Sequence, residues 1–237
     1  MTPGSGLDYA SGPMEPSRDC PHCPRLVAYR HEQRARHPDW FNSPVPVFGG
    51  RDARLLIVGL APGVAGANRT GRPFTGDYAG DLLYDTLGRF GFARGTFAAR
   101  PDDGLELVDC LIANAVRCVP PENKPTPAEI STCRPFLEAV VAAMPRLTAI
   151  VALGRIAHDQ ALAVTGARRA AYPFAHGARH ALPSGITLFD SFHCSRYNTN
   201  TRRLTPDMFR DVFSAVRAHL AGQAEVTADN FAQDKRS

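Results

Sequence analysis

Residues 54–63 read RLLIVGLAPG, a short apolar, β-prone run that ends in a turn rich in glycine and proline. A run of this length between turn signals is typical of a strand buried on both faces of a sheet. Three runs of the same kind follow, each ahead of a helical pattern, at 105–116, 148–154 and 186–193. This alternation predicts an α/β fold, a three-layer α/β/α sandwich with a central four-stranded parallel sheet.

Helix boundaries between these runs carry clear signals. Thr126-Pro127-Ala128-Glu129 is a capping box with proline at the first helical position, and Thr205-Pro206 opens the last helix in the same way. Gly166 and Gly222 suit the C-terminal caps of the third and fourth helices. The middle of the chain therefore reads as one regular α/β unit.

The length and composition indicate one soluble domain. The 237 residues are 44% hydrophobic and 21% charged, which is ordinary for a globular protein. We expect the domain to cover 18–222, with polar, aperiodic and disordered tails at 1–17 and 223–237. No apolar run is long enough to span a membrane and no export signal is seen, so a cytoplasmic, monomeric protein is expected.

The net charge of +4 is modest, but its source is unusual. Arginine supplies 25 of the 27 basic residues, and the two lysines are Lys124 and Lys235. The planar guanidinium group suits phosphate recognition, although a GC-rich genome would enrich arginine without any selection for binding. Composition alone leaves both explanations open.

Four cysteines fall into two groups that suggest a metal site. Cys20 and Cys23 form a Cys-x-x-Cys pair, and Cys118 and Cys133 flank a proline-rich loop. In a chain without an export signal, this pattern favours metal ligation over disulfides. Zinc and an iron-sulfur cluster both accept four thiolates, so the spacing does not separate them.

The remaining cysteine hypotheses are weaker. A dithiol oxidoreductase motif should follow a strand and open a helix, whereas Cys20 follows a polar tail. Cys110 lies within an apolar strand pattern and is interpreted as a core residue. Cys194 adjoins His193, but neighbouring residues on a strand point to opposite faces, which argues against a cysteine–histidine nucleophile.

Polar residues follow the predicted strands, where parallel sheets bind their ligands. Asn114 and His193 come at or just after strand ends, and the loop at 68–77, NRTGRPFTGD, follows the first strand. That loop contains Phe74 and ends in Asp77. Because the carboxyl ends of parallel strands share one edge, these side chains are expected to converge on one site.

These motifs together resemble the family-five (type b) uracil-DNA glycosylases. The resemblance is carried by GLAPG at 59–63, GANRTGRPFTGD at 66–77, NAVRC at 114–118, PFAHG at 173–177 and HCS at 193–195 with NTRRLT at 200–205. It covers about 18–222 and is specific because the motifs occur together and in order. The family usually has proline after the late histidine, where this chain has Cys194, so a less rigid turn at His193 is expected.

The resemblance implies roles for particular residues. Asp77, Asn114 and His193 would be catalytic, with Asp77 acting on water and His193 donating a hydrogen bond to the departing base. It also implies a [4Fe-4S] cluster on Cys20, Cys23, Cys118 and Cys133. The base would be bound by Gly59, Leu60, Ala61, Gly63, Phe74 and Asn114, and DNA by Ser195, Arg196, Asn200, Arg202 and Arg203.

Several of these residues also have structural interpretations. Asp77 could cap the following helix, and Asn114 could serve a turn. His176, Arg168, Arg169 and Arg179 either line a DNA channel or form a solvated basic face. Helix packing is the expectation for Trp40.

The functional expectation is excision of uracil, and of deaminated bases such as hypoxanthine, from DNA by hydrolysis of the N-glycosidic bond. The alternatives are a non-catalytic nucleic-acid-binding module with a structural four-cysteine metal site, and a redox protein. The partner expected in the first two cases is DNA, and no membrane is involved.

Overall fold

The computed structural model describes residues 14–76 and 78–234, with side chains described up to residue 223. The strands are β1 (Phe48–Gly49), β2 (Leu55–Gly59), β3 (Ala93–Arg94), β4 (Glu106–Leu107), β5 (Cys110–Asn114), β6 (Ala149–Leu153), β7 (Arg179–Ala181) and β8 (Thr187–Ser191). Six of them form a central sheet with the order β1-β5-β2-β6-β8-β7, and β3 and β4 form a separate two-stranded ribbon.

Helices cover both faces of the sheet. They are α1 (Pro24–Arg36), α2 (Ala67–Thr70), α3 (Tyr78–Arg89), α4 (Pro127–Ala142), α5 (Arg155–Val164), α6 (Arg196–Asn200) and α7 (Pro206–Asp234). One face packs against α3 and α7, and the opposite face packs against α4 and α5. Every residue of the four central strands is buried, as a sheet covered on both faces requires.

The predicted three-layer sandwich and its four parallel strands are confirmed. Strands β5, β2, β6 and β8 pair in parallel, with Gly59 opposite Asn114 at one end. The sequence missed the edge strands β1 and β7, which pair antiparallel with β5 and β8. These edges are two and three residues long, too short to produce a periodic pattern.

Two of the predicted helix boundaries follow the expected chemistry. Thr126 and Glu129 form both hydrogen bonds of a capping box at the start of α4. Gly166, at φ 71°, follows the end of α5, and its N–H donates to the carbonyl of Ala163. The predicted cap at Gly222 is wrong, because α7 continues past it to Asp234.

The described residues extend slightly beyond the predicted domain at both ends. The Glu15 carboxylate accepts a hydrogen bond from the Val47 N–H at 2.9 Å and pairs with Arg117, so contacts with the domain begin before residue 18. At the other end α7 passes residue 222. No helix in the described part of the chain is both long and apolar enough to cross a membrane.

Candidate active site

A cavity of about 580 Å³ opens at the carboxyl ends of the parallel strands. This is the edge at which the sequence placed a ligand site. Its lining combines apolar residues with a few polar groups from four separate segments: Leu60, Ala61, Pro62, Gly63, Ala67, Phe74, Gly76, Tyr78, Ala79, Asn114, Asn123, His193, Ser195, Arg196 and Tyr197.

The floor of the cavity depends on the absence of a side chain at Gly59. A Cβ at this position would overlap the Asn114 carboxamide oxygen and lie 2.8 Å from the Phe74 ring. Asn114 ends the neighbouring strand and is 3% exposed. Gly59 therefore does not line the cavity itself, but its lack of a side chain allows Asn114 and Phe74 to reach the cavity.

Phe74 forms one wall in an uncommon backbone conformation. Its φ is 56°, in the left-handed region that non-glycine residues rarely adopt. Its ring lies 6.0 Å from the His193 ring, with an angle of 28° between the two planes. The two rings thus present nearly parallel aromatic surfaces from segments that are distant in the sequence.

The backbone of His193 is held by hydrogen bonds within the segment that follows it. The Asn198 carboxamide donates a hydrogen bond to the His193 carbonyl at 2.8 Å, and Ser195 caps α6. Cys194 is fully buried, and its thiol contacts the Ala79 carbonyl at 3.5 Å. Burial lowers the pKa of His193 to about 4, so its imidazole is neutral at neutral pH.

Asp77, the predicted catalytic carboxylate, is flanked in the sequence by two residues that line the cavity. Gly76 and Tyr78, its neighbours on either side, both line the cavity. Asp77 itself lies outside the described residues, so its predicted catalytic and capping roles both stay predictions.

The predicted DNA-binding residues divide into two groups. Ser195 and Arg196 line the cavity. Asn200, Arg202 and Arg203 are exposed and lie outside the lining, with the Arg203 guanidinium 4.6 Å from the centre of the Phe192 ring. The structure thus places Ser195 and Arg196 at the cavity and leaves the other three residues exposed outside its lining.

Three residues in or next to the cavity were missed from the sequence. Tyr197 is 72% exposed at its mouth, and Asn123 lines it from a loop in which its φ is 57°. Asn198 holds the His193 carbonyl. Two features of the sequence could have pointed to Tyr197 and Asn123. One is an aromatic residue two positions after Ser195, and the other is the PPENKP stretch at 120–125, whose rigid prolines favour a defined loop.

Four arginines in or near the cavity carry charges with no acid partner in the described part of the chain. Arg155, Arg196, Arg202 and Arg203 have no carboxylate within 4.0 Å among the described residues. Arg94, for comparison, is paired with Glu106. The site is therefore flanked by unneutralised positive charge, which favours a polyanionic ligand.

Arg155 belongs to this flank because of where α5 begins. A Cβ on Gly154 would lie 3.6 Å from the Cβ of His193, so the first turn of α5 adjoins the histidine. The Arg155 guanidinium lies 5.4 Å from the centre of the Phe174 ring. Aromatic stacking thus holds both Arg155 and Arg203 in defined positions.

A second cluster brings together the four cysteines predicted as metal ligands. Cys20, Cys23, Cys118 and Cys133 line one small cavity. The Arg117 N–H donates to the Cys133 sulfur at 3.3 Å, and the Arg30 guanidinium lies 3.8 Å from the Cys118 sulfur. Such donors stabilise thiolate ligands and tune a metal group held by them. Cys110 lies apart, on strand β5, with its side chain in the core.

The spread of the sulfurs bears on which metal they suit. A single tetrahedral zinc ion, with bonds of about 2.3 Å, draws its sulfurs within about 4 Å of one another. Within residues 14–76 and 78–234, no three cysteine sulfurs lie within 4.8 Å of one another. An iron-sulfur cluster binds its cysteines through separate iron atoms.

His158, His180 and Asp190 do form such a compact group. His158 Nδ1 lies 2.7 Å from the Asp190 carboxylate, closer than the ~3.3 Å between two ligands on one zinc ion, and its Nε2 lies 2.9 Å from the Tyr172 carbonyl. Burial opposes protonation of His158, but the Asp190 carboxylate outweighs it and raises the pKa of His158. The group is a hydrogen-bonded network that joins α5 to β8.

Comparisons with known proteins agree on one family. The model of the uracil DNA glycosylase superfamily matches residues 46–217. The chain is 46% identical to the type-5 uracil-DNA glycosylase of Thermus thermophilus over 86% of its length and 94% of the relative's. It is 39% identical to the type-5 enzyme of Pyrobaculum aerophilum, covering 84% and 88%. A type-4 enzyme of the same organism is 34% identical over 64% of the chain and 63% of the relative.

Proposed function

The chain belongs to the type-5 branch of the uracil DNA glycosylase superfamily, and on that basis we propose that its cavity removes uracil from DNA and so initiates base excision repair. The reaction is hydrolysis of the N-glycosidic bond. The observation that carries the assignment is the position of Phe74, Asn114 and His193 around one cavity at the carboxyl edge of the sheet.

The cavity is suited to a base that has left the helix. Extrusion costs a few kcal/mol, which the enzyme recovers by stacking and hydrogen bonds. Phe74 offers a ring face for stacking, and the Asn114 carboxamide offers both a donor and an acceptor to the base edge. The buried position of Asn114 makes an unmatched base edge costly.

The bond breaks with its electrons moving to the base while the sugar gains oxocarbenium character. His193, neutral because burial lowers its pKa to about 4, keeps one N–H that can donate to an oxygen of the departing base. Asp77 orients water, takes a proton as the water oxygen bonds to C1′, and stabilises the positive sugar electrostatically. The departing base then takes a proton from solvent.

The mouth of the cavity provides for the DNA around the extruded base. Tyr197, 72% exposed beside Arg196, can enter the gap that the base leaves in the duplex, as inserted side chains do in other complexes. Arg155, Arg202 and Arg203 lie free of acid partners in the described structure and would contact phosphates.

The excised bases extend beyond uracil in this proposal. Leu60 and Ala61 follow Gly59 with apolar side chains, and the cavity of about 580 Å³ has room for a purine. Strong rejection of an analogue requires buried polar groups that it would leave unpaired, and this wall has few of them. Hypoxanthine is therefore expected to be excised as well, with xanthine a further candidate.

We also propose that the four cysteines hold a [4Fe-4S] cluster. The support is that the four cysteines line one small cavity, with donors from Arg30 and Arg117 at two of the sulfurs. The cluster would join α1 to the segment after β5 and to α4. Its role here would be structural, since the four sulfurs line a cavity separate from that of Phe74 and His193.

The protein is proposed to act as a monomer in the cytoplasm of a bacterial or archaeal cell, at the chromosome. Large exposed hydrophobic side chains among the described residues are Phe41, Val108 and Tyr197, and only Tyr197 is mostly exposed. Singly exposed apolar residues are ordinary on the surface of a soluble monomer.

The experiment compares single-turnover excision from otherwise identical duplexes with U·G, U·A or hypoxanthine·T. Because extrusion is easier from a mismatch, U·G should be cleaved faster than U·A. DNA binding without abasic-site formation on any of the three would instead favour the non-catalytic nucleic-acid-binding alternative. Release of uracil but not hypoxanthine would show that the pocket discriminates through polar contacts.

A further inference from the structure

The strained backbone of Phe74 requires something to hold it. A left-handed conformation at a non-glycine residue persists only where the surrounding structure fixes it. Phe74 is also the wall against which the extruded base is proposed to stack. The residues that hold its backbone therefore affect how well the base is captured.

The residue two positions earlier is anchored by a buried ion pair. Arg72 donates from both terminal nitrogens to the Asp103 carboxylate, at 2.8 and 2.7 Å. Asp103 also accepts from the N–H groups of Ala98 and Leu105 at 2.9 and 3.0 Å. The side chains of Arg72 and Asp103 are 5% and 1% exposed, so solvent does not loosen this pair.

Aromatic rings enclose the same guanidinium group. Its centre lies 5.2, 5.5 and 5.6 Å from the ring centres of Phe48, Tyr84 and Phe97. The Tyr84 hydroxyl then donates to the Pro73 carbonyl at 2.6 Å. Arg72 and Pro73, the two residues before Phe74, are thus both fixed.

The chain is also held around and after Phe74. Thr75 Oγ1 donates to the Arg72 carbonyl at 2.5 Å, which closes the turn around Phe74. The Cα of Gly80 in α3 packs against the Phe74 carbonyl, and a Cβ at Gly80 would overlap the carbonyl oxygen. The Phe74 backbone therefore has little freedom to relax to an ordinary conformation.

We propose that Asp103 and Tyr84 are positioning residues that hold Phe74 as the stacking surface and so determine how efficiently a base is captured from paired DNA. Neither residue lines the cavity. The inference rests on the proposed function and adds to it a second layer of residues that acts through Arg72 and Pro73.

The kinetic consequence depends on the substrate. In a U·A pair the base is rarely extruded, so the excision rate is proportional to the equilibrium population of the stacked, extruded state. In single-stranded DNA the base is already free, so a loss of stacking reduces the rate less. A lower fraction of folded enzyme would instead reduce both rates by the same factor.

The variants are Asp103→Asn and Tyr84→Phe, with Asp102→Asn as the matched control. Asp102 is the exposed neighbour of Asp103 and its carboxylate contacts Arg100 at 3.6 Å. Tyr84→Phe keeps the ring beside Arg72 and removes only the hydroxyl, so it remains informative if Asp103→Asn folds poorly. Phe74→Ala provides the pattern expected for direct loss of the stacking surface.

Single-turnover rates are measured on U·A duplex and on single-stranded uracil DNA. We expect both variants, and Phe74→Ala with them, to lose at least about tenfold more on U·A than on the single strand, while Asp102→Asn matches wild type. Equal losses on the two substrates, or no loss, would overturn the positioning role.

Amide hydrogen exchange over residues 72–76 gives a second measurement that needs no activity. Exchange should accelerate in Asp103→Asn and Tyr84→Phe and stay unchanged in Asp102→Asn. Unchanged exchange in both variants would refute the inference. If the wild-type protein released no base, the proposed function would fail, and exchange would still decide whether Asp103 and Tyr84 hold the loop.

Discussion

The rings of Phe74 and His193 lie with their centroids 6.0 Å apart and their planes inclined by 28°. The backbone that carries each ring is held by contacts outside the cavity. Phe74 is held through Arg72 and Pro73, and His193 through the Asn198 carboxamide. The site is thus two preorganised aromatic groups with Asn114 beneath them.

Tyr197→Ala should reduce excision from duplex DNA more than excision from single-stranded DNA. The exposed ring can fill the gap left by the extruded base, and a single strand has no such gap. We expect a loss of about tenfold or more on a U·A duplex, measured under single-turnover conditions. Tyr197→Phe should stay near wild type, and a similar loss in that variant would show that the hydroxyl is what matters.

The imidazole of His193 should remain neutral down to about pH 5. Burial lowers its pKa to about 4 from the ordinary 6.5, so nitrogen-15 NMR should show no titration of this ring between pH 8 and 5.5. Between about 6.5 and 4 the unfolded chain binds a proton that the folded chain does not, so His193 makes the protein less stable as the pH falls. Titration with a midpoint near 6.5 would contradict this.

The arginines flanking the cavity should contribute to salt-dependent DNA binding. Each phosphate contact contributes about 0.9 to the slope of log K against log salt concentration. Arg196→Ala and Arg203→Ala should each lower that slope by about this amount. Arg94→Ala is the control, because Arg94 is exposed and already paired with Glu106. Equal slopes for all three variants would place the DNA elsewhere.

The cysteine cluster should make the purified protein brown. Thiolate-to-iron charge transfer gives broad absorption near about 400 nm, which zinc does not produce. Cys118→Ser should lose the colour, whereas Cys110→Ser should keep it because Cys110 lies in the core away from the other cysteines. A colourless, zinc-loaded and active wild-type preparation would refute the cluster.

Much of this architecture was predictable because it depends on local sequence patterns. The four central strands are buried on both faces and leave continuous apolar runs, and the Thr126–Glu129 cap uses adjacent residues. The edge strands β1 and β7 were not predictable, since their existence depends on pairing with distant strands. Motif resemblance supplied the candidate residues that the patterns alone did not identify.

The missed site residues share a physical reason. Tyr197 lies in α6, which has five residues, and Asn123 ends a 3-10 turn at 121–123; elements this short leave no periodic pattern. The sequence also suggested that Cys194, in place of proline, would loosen the turn at His193. The rigidity of that turn stays a prediction; in the structure the Asn198 carboxamide donates to the His193 carbonyl and the buried Cys194 thiol contacts the Ala79 carbonyl.

Product analysis shows directly whether the protein excises uracil. Wild-type protein is incubated with a U·G duplex, and free uracil and the DNA strand are quantified by mass spectrometry. We expect release of uracil with an intact abasic strand that breaks only after alkali, and a single-turnover rate about 10²- to 10⁴-fold lower in Asp77→Ala. Retention of uracil in the DNA, or an Asp77→Ala variant that excises at the wild-type rate, would contradict this expectation.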